Sequence, residues 1–492
     1  MAQIKKVLIA NRGEIAVRII RTLKEMNIPS VLIYHAEDSF SQGAREADES
    51  IEIFGETPVA AYIDPQNIIN ACHKSGANAV HPGYGFLSEN SAFVSQLEEE
   101  EIIFIGPTAK IIKLMGDKIS ARSFMIKHQF PIVPSVVEED DPASFAERAR
   151  KIGVPLLIKA AAGGGGKGMR IVRDPAELDS QIEQARSEGQ RYFGDGRLFC
   201  ERYIERPRHI EVQILADQQG NCLHLWEREC SIQRRFQKVI EEAPSPTLSD
   251  TQRSEICQTA VQMAQKAGYS NAGTVEFILA QDGSFYFLEM NTRLQVEHPV
   301  TEFITGIDLV AEQIRVANGE ALAKTQAEIQ INGHAIECRI NAEDPDQNFM
   351  PSLGPILKLR AAQGAGIRFD TGLREGQKVG SAFDPMLGKL ITHGSNRDQA
   401  RRRALRALRE TVLMGLTTNI NFLQRILELD AFIEGDLHTH FLEEFSAQLE
   451  PNEIDEETLK LLLAAAASMD PQQQSGGAEI PEPYASIGSW RN

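Results

Sequence analysis

Long apolar runs, paired cysteines, an excess of positive charge and the common nucleotide signatures are all missing from this sequence. No stretch approaches about 18 apolar residues, and the N-terminus lacks a charged head followed by an apolar signal core. Neither a membrane span nor a secretory leader is expected. The six cysteines, Cys72, Cys200, Cys222, Cys230, Cys257 and Cys338, are scattered, without C-x-x-C pairs or nearby ligand histidines. That spacing offers neither a zinc site nor a disulfide framework, so a reducing cytoplasm is the expected setting. The net charge of −18 argues against nucleic acid or an anionic membrane as partner, and makes any basic cluster a local site. The first strand-to-helix turn is Asn11-Arg12-Gly13, with no G-x-G-x-x-G, which removes the signature of a nicotinamide or flavin enzyme.

What is present is an ordinary folded composition, 42% apolar and 24% charged, over 492 residues. That length is too great for one core and predicts about three domains. Residues 1–115 alternate strand and helix: KKVLIA, SVLIYH, ANAVHPGYG and EIIFIGP read as strands. Ile15, Ala16, Ile19, Ile20 and Leu23 recur at helical spacing between the first two, and Asn11 with Glu14 reads as a capping box. This is a doubly wound α/β layout. Residues 116–330 carry a glycine run and long alternating strands. Residues 331–446 run through short strands (ILKLRA, GIRFD) to the helix RDQARRRALRALRETVL, whose basic face reads as solvated. The tail, 447–492, is acidic, with one helix (EETLKLLLAAAA) before it loosens.

The sharpest local signal lies in GTVEFIL and SFYFLEMN, joined across Asp282-Gly283. An Asp-Gly pair between such runs predicts a hairpin with a two-residue loop. Gln281 then pairs with Ser284, and counting outward sets Glu276 opposite Glu289. Two bare carboxylates there would repel and destabilise the ladder. Asn291 projects from the same face as Glu289. Three oxygen donors on one patch suit a hard divalent cation, best Mg²⁺ with waters and substrate phosphates completing its shell.

In the glycine run 163–168, Gly168 stands where a Walker A loop has Ser or Thr. The flanks, PLLIKA and MRIV, are both strand-like, so the loop joins two strands. Glycine N–H groups can wrap a phosphate there and the loop can act as a lid. Lys159 ends the incoming strand within reach of a phosphate oxygen, and Lys118 in LMGDK is a second candidate.

Taken together, NRGEIAVR, HPGYGFLSEN, LMGDK, KAAAGGGGKGMR, ERYIERPRHIEVQ, CSIQRRFQKVIEEAPSP, FYFLEMNTRLQVEHPVTE and HAIECRINAEDP strongly resemble the biotin carboxylases. They follow in that family's order over residues 1 to about 446. The resemblance implies an ATP-grasp fold of α/β and α+β parts, with a doubly wound α/β N-terminal domain and an α+β C-terminal domain. It also implies the reaction: ATP and bicarbonate give carboxyphosphate, whose CO₂ passes to N1 of biotin.

By the same resemblance, Glu276, Glu289 and Asn291 match metal ligands for Mg²⁺ (or Mn²⁺). Lys118, Lys159 and the lid glycines Gly164, Gly165 and Gly166 match contacts to the ATP phosphates. Glu201, Tyr203 and Ile204 match the hinge strand beside adenine, Met169 and Ile278 the residues sandwiching its ring, and His209 and Gln233 polar contacts around the nucleotide. Arg293, Lys238, Gln295 and the Val296 backbone match the bicarbonate site. Glu297 matches the general base, Arg339 the arginine facing deprotonated biotin, and Tyr84 the biotin pocket.

Two positions depart from the family pattern. Phe236 stands where many members have histidine, and Ala162 where some have another glycine. With no Ala-Met-Lys-Met-like attachment sequence, biotin is expected on a separate carrier protein, and the transfer on a separate carboxyltransferase chain. The family implies a homodimer through the first and third domains. The tail IPEPYASIGSWRN is similar to the segment following this domain in acyl-CoA carboxylase α-chains. The competing readings are the equivalent subunit of a two-subunit pyruvate carboxylase, an ATP-grasp ligase joining a carboxylate to an amine, and an inactive ATP-binding scaffold.

Overall fold

In the computed structural model the described residues are 3–138, 141–160, 169–193, 196–451 and 456–468. Met1–Leu449 form one compact unit and Glu450–Asn492 another, in which the described helix is Glu456–Ser468.

The first hundred residues build a parallel five-stranded sheet. Its strands run in the spatial order Glu49–Glu52, Ser30–Tyr34, Val7–Ile9, Ala79–His81 and Ile103–Phe104. Alternation along the first strand divides two cores. Val7 and Ile9 pack with Ile15 and Ile19 of the helix Gly13–Glu25, while Leu8 packs with Val31, Val80, Ile68 and Phe93 on the other side. A sheet apolar on both faces must be covered on both, hence the doubly wound form. The expected capping box does not form. Asn11 turns its amide to the carbonyls of Pro82 and Tyr84, and the Glu14 carboxylate accepts from the Tyr84 hydroxyl. Arg12, without a side-chain cap bond, is the residue before the helix.

A four-stranded antiparallel sheet follows in the order Ser135–Val137, Leu198–Arg202, Leu156–Ala160 and Met169–Val172. PLLIKA and MRIV are thus paired strands, as expected; the glycine run between them, with Gly164, Gly165, Gly166 and Ala162, lies outside the described residues.

An eight-stranded sheet carries the rest. Its order is Phe285–Asn291, Asn271–Leu279, Arg208–Ala216, Cys222–Arg234, Gln237–Ala243, His334–Asn341, Met386–Gly394 and Ile367–Thr371. Pairing of Ile240 with Cys338 continues it across residue 330. In Arg208–Ala216, Ile210, Val212 and Ile214 pack with Ile256 and Met263 of the helix Asp250–Ala267. Their alternates His209, Glu211 and Gln213 are equally buried but face the other way, so one strand presents apolar core on one side and a polar interior on the other. Farther along, Cys338, Ile340 and Leu390 pack against Ala404 and Leu408 of the helix Arg397–Glu410. The basic face of that helix is not wholly solvated: Arg397 donates to both oxygens of buried Glu242 (2.7 and 2.9 Å).

The Glu276–Glu289 hairpin reaches its expected pairing by an unexpected route. Glu276 does oppose Glu289. The loop, however, has three residues, because Ala280 rather than Gln281 pairs with Ser284, and Gly283 takes the positive φ that closes such a loop. That would shift every later pair by one. A bulge between the Phe277–Phe287 and Glu276–Glu289 pairs restores the count by inserting Leu288, which is exposed. The bulge also reverses facing. Phe287 belongs to the apolar core, and a regular strand would put Glu289 on that same side; the inserted residue turns it toward Glu276 instead.

Candidate active site

The polar face of the eight-stranded sheet gathers charged groups from most of its strands. Lys238 is the hub. Its Nζ donates to Glu211 Oε2 (2.5 Å), Glu297 Oε1 (2.6 Å) and Glu276 Oε1 (3.1 Å), one donor to each of three buried carboxylates. Such a cluster survives burial only because the charges alternate in space. Burial alone would raise the Glu297 carboxyl. Lys238, then Arg339 and Arg228, overcome that and hold it well below the usual range. Glu276 is likewise held down, by Lys238 and His209 against the same burial.

Strand pairing explains how these groups meet. Glu211 lies between Arg228 on one neighbour and Glu276 on the other. Gln233 pairs with Lys238 across a two-residue turn at Arg235-Phe236, and its amide lies 2.9 Å from His209 Nδ1. His209 Nε2 stands 2.7 Å from Glu276 Oε2. Asn291 Nδ2 and Gln295 Nε2 also donate to Glu276 Oε1 (2.8 and 2.6 Å). Ile278, half-buried, is the strand partner of His209.

Glu289 is the contrasting member. Burial and the neighbouring Glu276 charge raise it, with Lys118 opposing from the start of the helix Lys118–Lys127. An under-neutralised carboxyl beside an ionised one, with an amide oxygen at hand, is a donor set short of positive charge. It fits a hard divalent cation. A second grouping, His209, Glu211 and Glu276, also brings ligand atoms within 4.8 Å of one another. Glu211 there is already paired with Arg228 and Lys238, and the shared Glu276 with Lys238; the under-neutralised Glu289 is what favours the hairpin set.

Arg339 donates from Nε to Glu241 Oε1 (2.5 Å) and from Nη2 to Glu297 Oε2 (3.0 Å), so its planar fork is fixed on two sides. The Glu241 carboxyl is pushed by burial to about 7, against the pull of Arg339. Arg293 does not meet Glu297; it bonds Glu89 Oε2 (3.0 Å), Asn291 Oδ1 (2.8 Å) and the Leu294 carbonyl (3.2 Å). Tyr84 points its hydroxyl at Glu14.

Of the residues expected at the nucleotide, Lys159, Met169, Glu201, Tyr203 and Ile204 lie on or beside the four-stranded sheet, while His209, Gln233 and Ile278 belong to the eight-stranded one. Lys159 and Met169 are cross-strand partners, and Lys159 is ion-paired with the Glu201 side chain. The Tyr203 N–H is engaged by the Pro155 carbonyl (2.8 Å) and its hydroxyl lies 3.1 Å from His440 Nε2. That removes the Tyr203 N–H from the expected backbone contacts to adenine. Glu201 is the penultimate residue of the strand Leu198–Arg202, and Tyr203 and Ile204 follow just beyond its end.

Sequence reasoning missed Glu211, Arg228, Glu241, Glu89 and Lys389. The signal for Glu211 was present: His209, Glu211 and Gln213 alternate with Ile210, Val212 and Ile214, a polar stripe inside an apolar strand. For Arg228 and Glu89 only the fold supplies the partner.

The chain matches three family descriptions in succession: "Biotin carboxylase, N-terminal domain" over residues 3–112, "Carbamoyl-phosphate synthase L chain, ATP binding domain" over 117–325, and "Biotin carboxylase C-terminal domain" over 337–444. Among relatives, a pyruvate carboxylase subunit of Methanothermobacter thermautotrophicus is 48% identical over 441 residues, 89% of this chain and 90% of that one. Biotin carboxylase of a Nostoc species is 48% identical over 444 residues, 90% of this chain and 99% of that one. The α subunit of Dictyostelium discoideum mitochondrial methylcrotonoyl-CoA carboxylase is 44% identical over 494 residues, 99% of this chain and 70% of that one. The biotin carboxylase domain of Hydrogenobacter thermophilus 2-oxoglutarate carboxylase, solved as a dimer with MgADP, ADP and bicarbonate, superposes with a TM-score of 0.86 at 44% identity, covering 92% of this chain and all of that one. With its ATP-grasp sheets, its alternating charge cluster and this similarity along almost its whole length, the chain belongs to the biotin carboxylase family.

Proposed function

We propose that this protein uses ATP and bicarbonate to carboxylate biotin borne on a separate carrier protein, as the first half-reaction of an acyl-CoA carboxylase. The array Lys238–Glu297–Arg339 carries this reading. It puts a carboxylate base between two cations, each fixed by a further acid.

Bicarbonate is a strongly hydrated, weak nucleophile, and the site must orient it and remove its proton. Lys238, Arg293 and Gln295 offer the donors that replace its water. The paired Glu297 is a weak base while Lys238 and Arg339 neutralise it. An anion that draws those cations toward itself restores the basicity of Glu297, so deprotonation is tied to occupancy. The bicarbonate oxygen then attacks the γ-phosphorus of ATP, ADP leaves, and carboxyphosphate forms. Glu276, Glu289 and Asn291 would hold Mg²⁺ (or Mn²⁺), which supplies charge neutralisation on the phosphates. Arg339 faces the place where negative charge develops on the biotin ureido oxygen after N1 loses its proton. Tyr84 lines the ring.

The acyl-CoA assignment, acetyl-CoA first, is supported by the methylcrotonoyl-CoA carboxylase relative, whose similarity runs through the tail. The runner-up acceptor is pyruvate, favoured by the similarity to the Methanothermobacter pyruvate carboxylase chain. We place the three domains at 1–115, 116–330 and 331–446, the working form as a homodimer, and the partners as a carrier protein and a carboxyltransferase. A reducing cytoplasm suits the six cysteines, all free. Among the described residues no helix is long and apolar enough to cross a membrane.

The test isolates the carboxyltransferase that co-purifies with the chain and follows label from bicarbonate. Label reaching acetyl-CoA supports the reading, label reaching only pyruvate replaces the acceptor, and ADP release indifferent to biotin defeats the reaction itself.

A further inference from the structure

Lys389 is fully buried in the strand Met386–Gly394. No role in binding ATP, metal or biotin accounts for it. Burying an ammonium costs several kcal/mol unless partners compensate. It has two. Its Nζ donates to the main-chain carbonyl of Val296, and Glu14 Oε1 lies 3.2 Å away. Glu14 is in the first turn of the helix Gly13–Glu25, and the same oxygen accepts from the Tyr84 hydroxyl.

Lys389 is also the direct cross-strand partner of Arg339, so the two cations project side by side from one face. Arg339 grips the Glu297 side chain; Lys389 grips the carbonyl immediately before it. Adjacent residues of one loop are therefore held by adjacent cations of one sheet. The loop 292–297 has no strand ladder of its own to fix the Val296–Glu297 peptide plane. The peptide is instead pinned from beneath, and the pin is continuous with a side chain of the biotin pocket.

We infer that Lys389 is a positioning residue for the bicarbonate end of the site, and that Tyr84–Glu14–Lys389–Val296 is a chain through which the biotin pocket sets the geometry of Glu297. This rests on the carboxylase reading above. A biotin ring arriving beside Tyr84 disturbs its hydroxyl bond to Glu14. Glu14 then leans more fully on Lys389, and the loop bearing the base responds.

The test is steady-state ADP release by the purified full chain, with bicarbonate and free biotin varied separately. Lys389→Met is expected to raise the KM for bicarbonate by about tenfold or more, as small displacements of a reacting group do, while the KM for ATP stays near that of the unmodified protein. Glu14→Gln keeps an acceptor for both Tyr84 and Lys389 but loses the charge; the same pattern is expected, smaller, with weaker stimulation by biotin. Combined, the two should be no worse than Lys389→Met alone, because members of one chain do not act additively. A folded Lys389→Met protein with an unchanged KM for bicarbonate, or strictly additive effects, overturns the inference. Should Lys389→Met not fold, Glu14→Gln decides: unchanged bicarbonate KM and biotin stimulation refute the chain. Absence of bicarbonate-dependent ADP release in the unmodified protein would instead refute the activity, so the two failures are distinct.

Discussion

Replacing Lys238 by Met removes the one ammonium shared by Glu211, Glu276 and Glu297, all within 3.1 Å of it, while preserving much of its length. Breaking a buried ion pair from one side costs about 3–5 kcal/mol, because the partner stays buried without compensation. Here three partners are left, with Arg228 and Arg339 still serving Glu211 and Glu297. At about 1 °C per kcal/mol for a protein of this size, Tm at neutral pH should fall by about 3–5 °C. The pH dependence is the more searching part. Glu276 and Glu297 have folded values below the usual carboxylate range. Their contribution is therefore fully present above that range and lost only as pH falls through the depressed values, so the native Tm draws no slope from them between about pH 5.5 and 8. Without Lys238, burial and mutual repulsion raise at least one acid above its unfolded value. The folded state then binds more protons than the unfolded, and the variant gains stability as pH falls. Calorimetric scans across that interval should show the gap between the two proteins closing toward the acid end. A gap of constant size, or one that widens as pH falls, would refute the alternation-of-charge argument.

Three further outcomes follow from the same geometry. Glu289→Gln should raise the Mg²⁺ concentration needed for half-maximal ADP release by about tenfold, one lost ligand charge, with Tm little changed or slightly higher since a raised, buried carboxyl is removed; an unchanged metal requirement counts against the hairpin site. Arg397→Met leaves Glu242 buried beside His334 alone. Glu242 is held at about 2, burial being overcome by Arg397 and His334, so its stabilisation is present above about 4.5 and lost as pH falls toward 2; the substitution should cost about 3–5 kcal/mol at pH 7 and shift acid unfolding to higher pH in urea melts. Phe236 is exposed with a left-handed backbone in a turn where Arg235 is left-handed too, next to Gln233 and Lys238. Phe236→His should change the KM for ATP severalfold and leave the bicarbonate KM alone; parallel changes in both would place the turn outside the nucleotide pocket.

Much of the fold around these residues was legible in the sequence, and the reasons are local. The parallel strands of the N-terminal sheet are apolar runs punctuated by helical spacing, and both signals survive folding. The Glu276–Glu289 pairing was legible, though through two offsetting features. A three-residue loop and the Leu288 bulge each move the count by one, and neither leaves a mark in side-chain polarity. Glu14 misled for a related reason. Its spacing from Asn11 suits a cap, but a buried carboxylate answers to Tyr84 and Lys389, which lie far along the chain. Lys389 and Arg228 could not have been chosen from sequence, since a lone cation in a strand is most often at a surface. Their burial is set by the sheet that joins residues 208–243 to 334–394.

The most direct test of the central claim is incorporation of label from bicarbonate into free biotin, with MgATP, by the unmodified protein and by Glu297→Gln. The account predicts acid-labile, ATP-dependent carboxybiotin from the former, and a loss of at least about a hundredfold in the latter, on the scale of removing a general base, with nucleotide binding retained. Label incorporated equally by both proteins, or by neither, would contradict it.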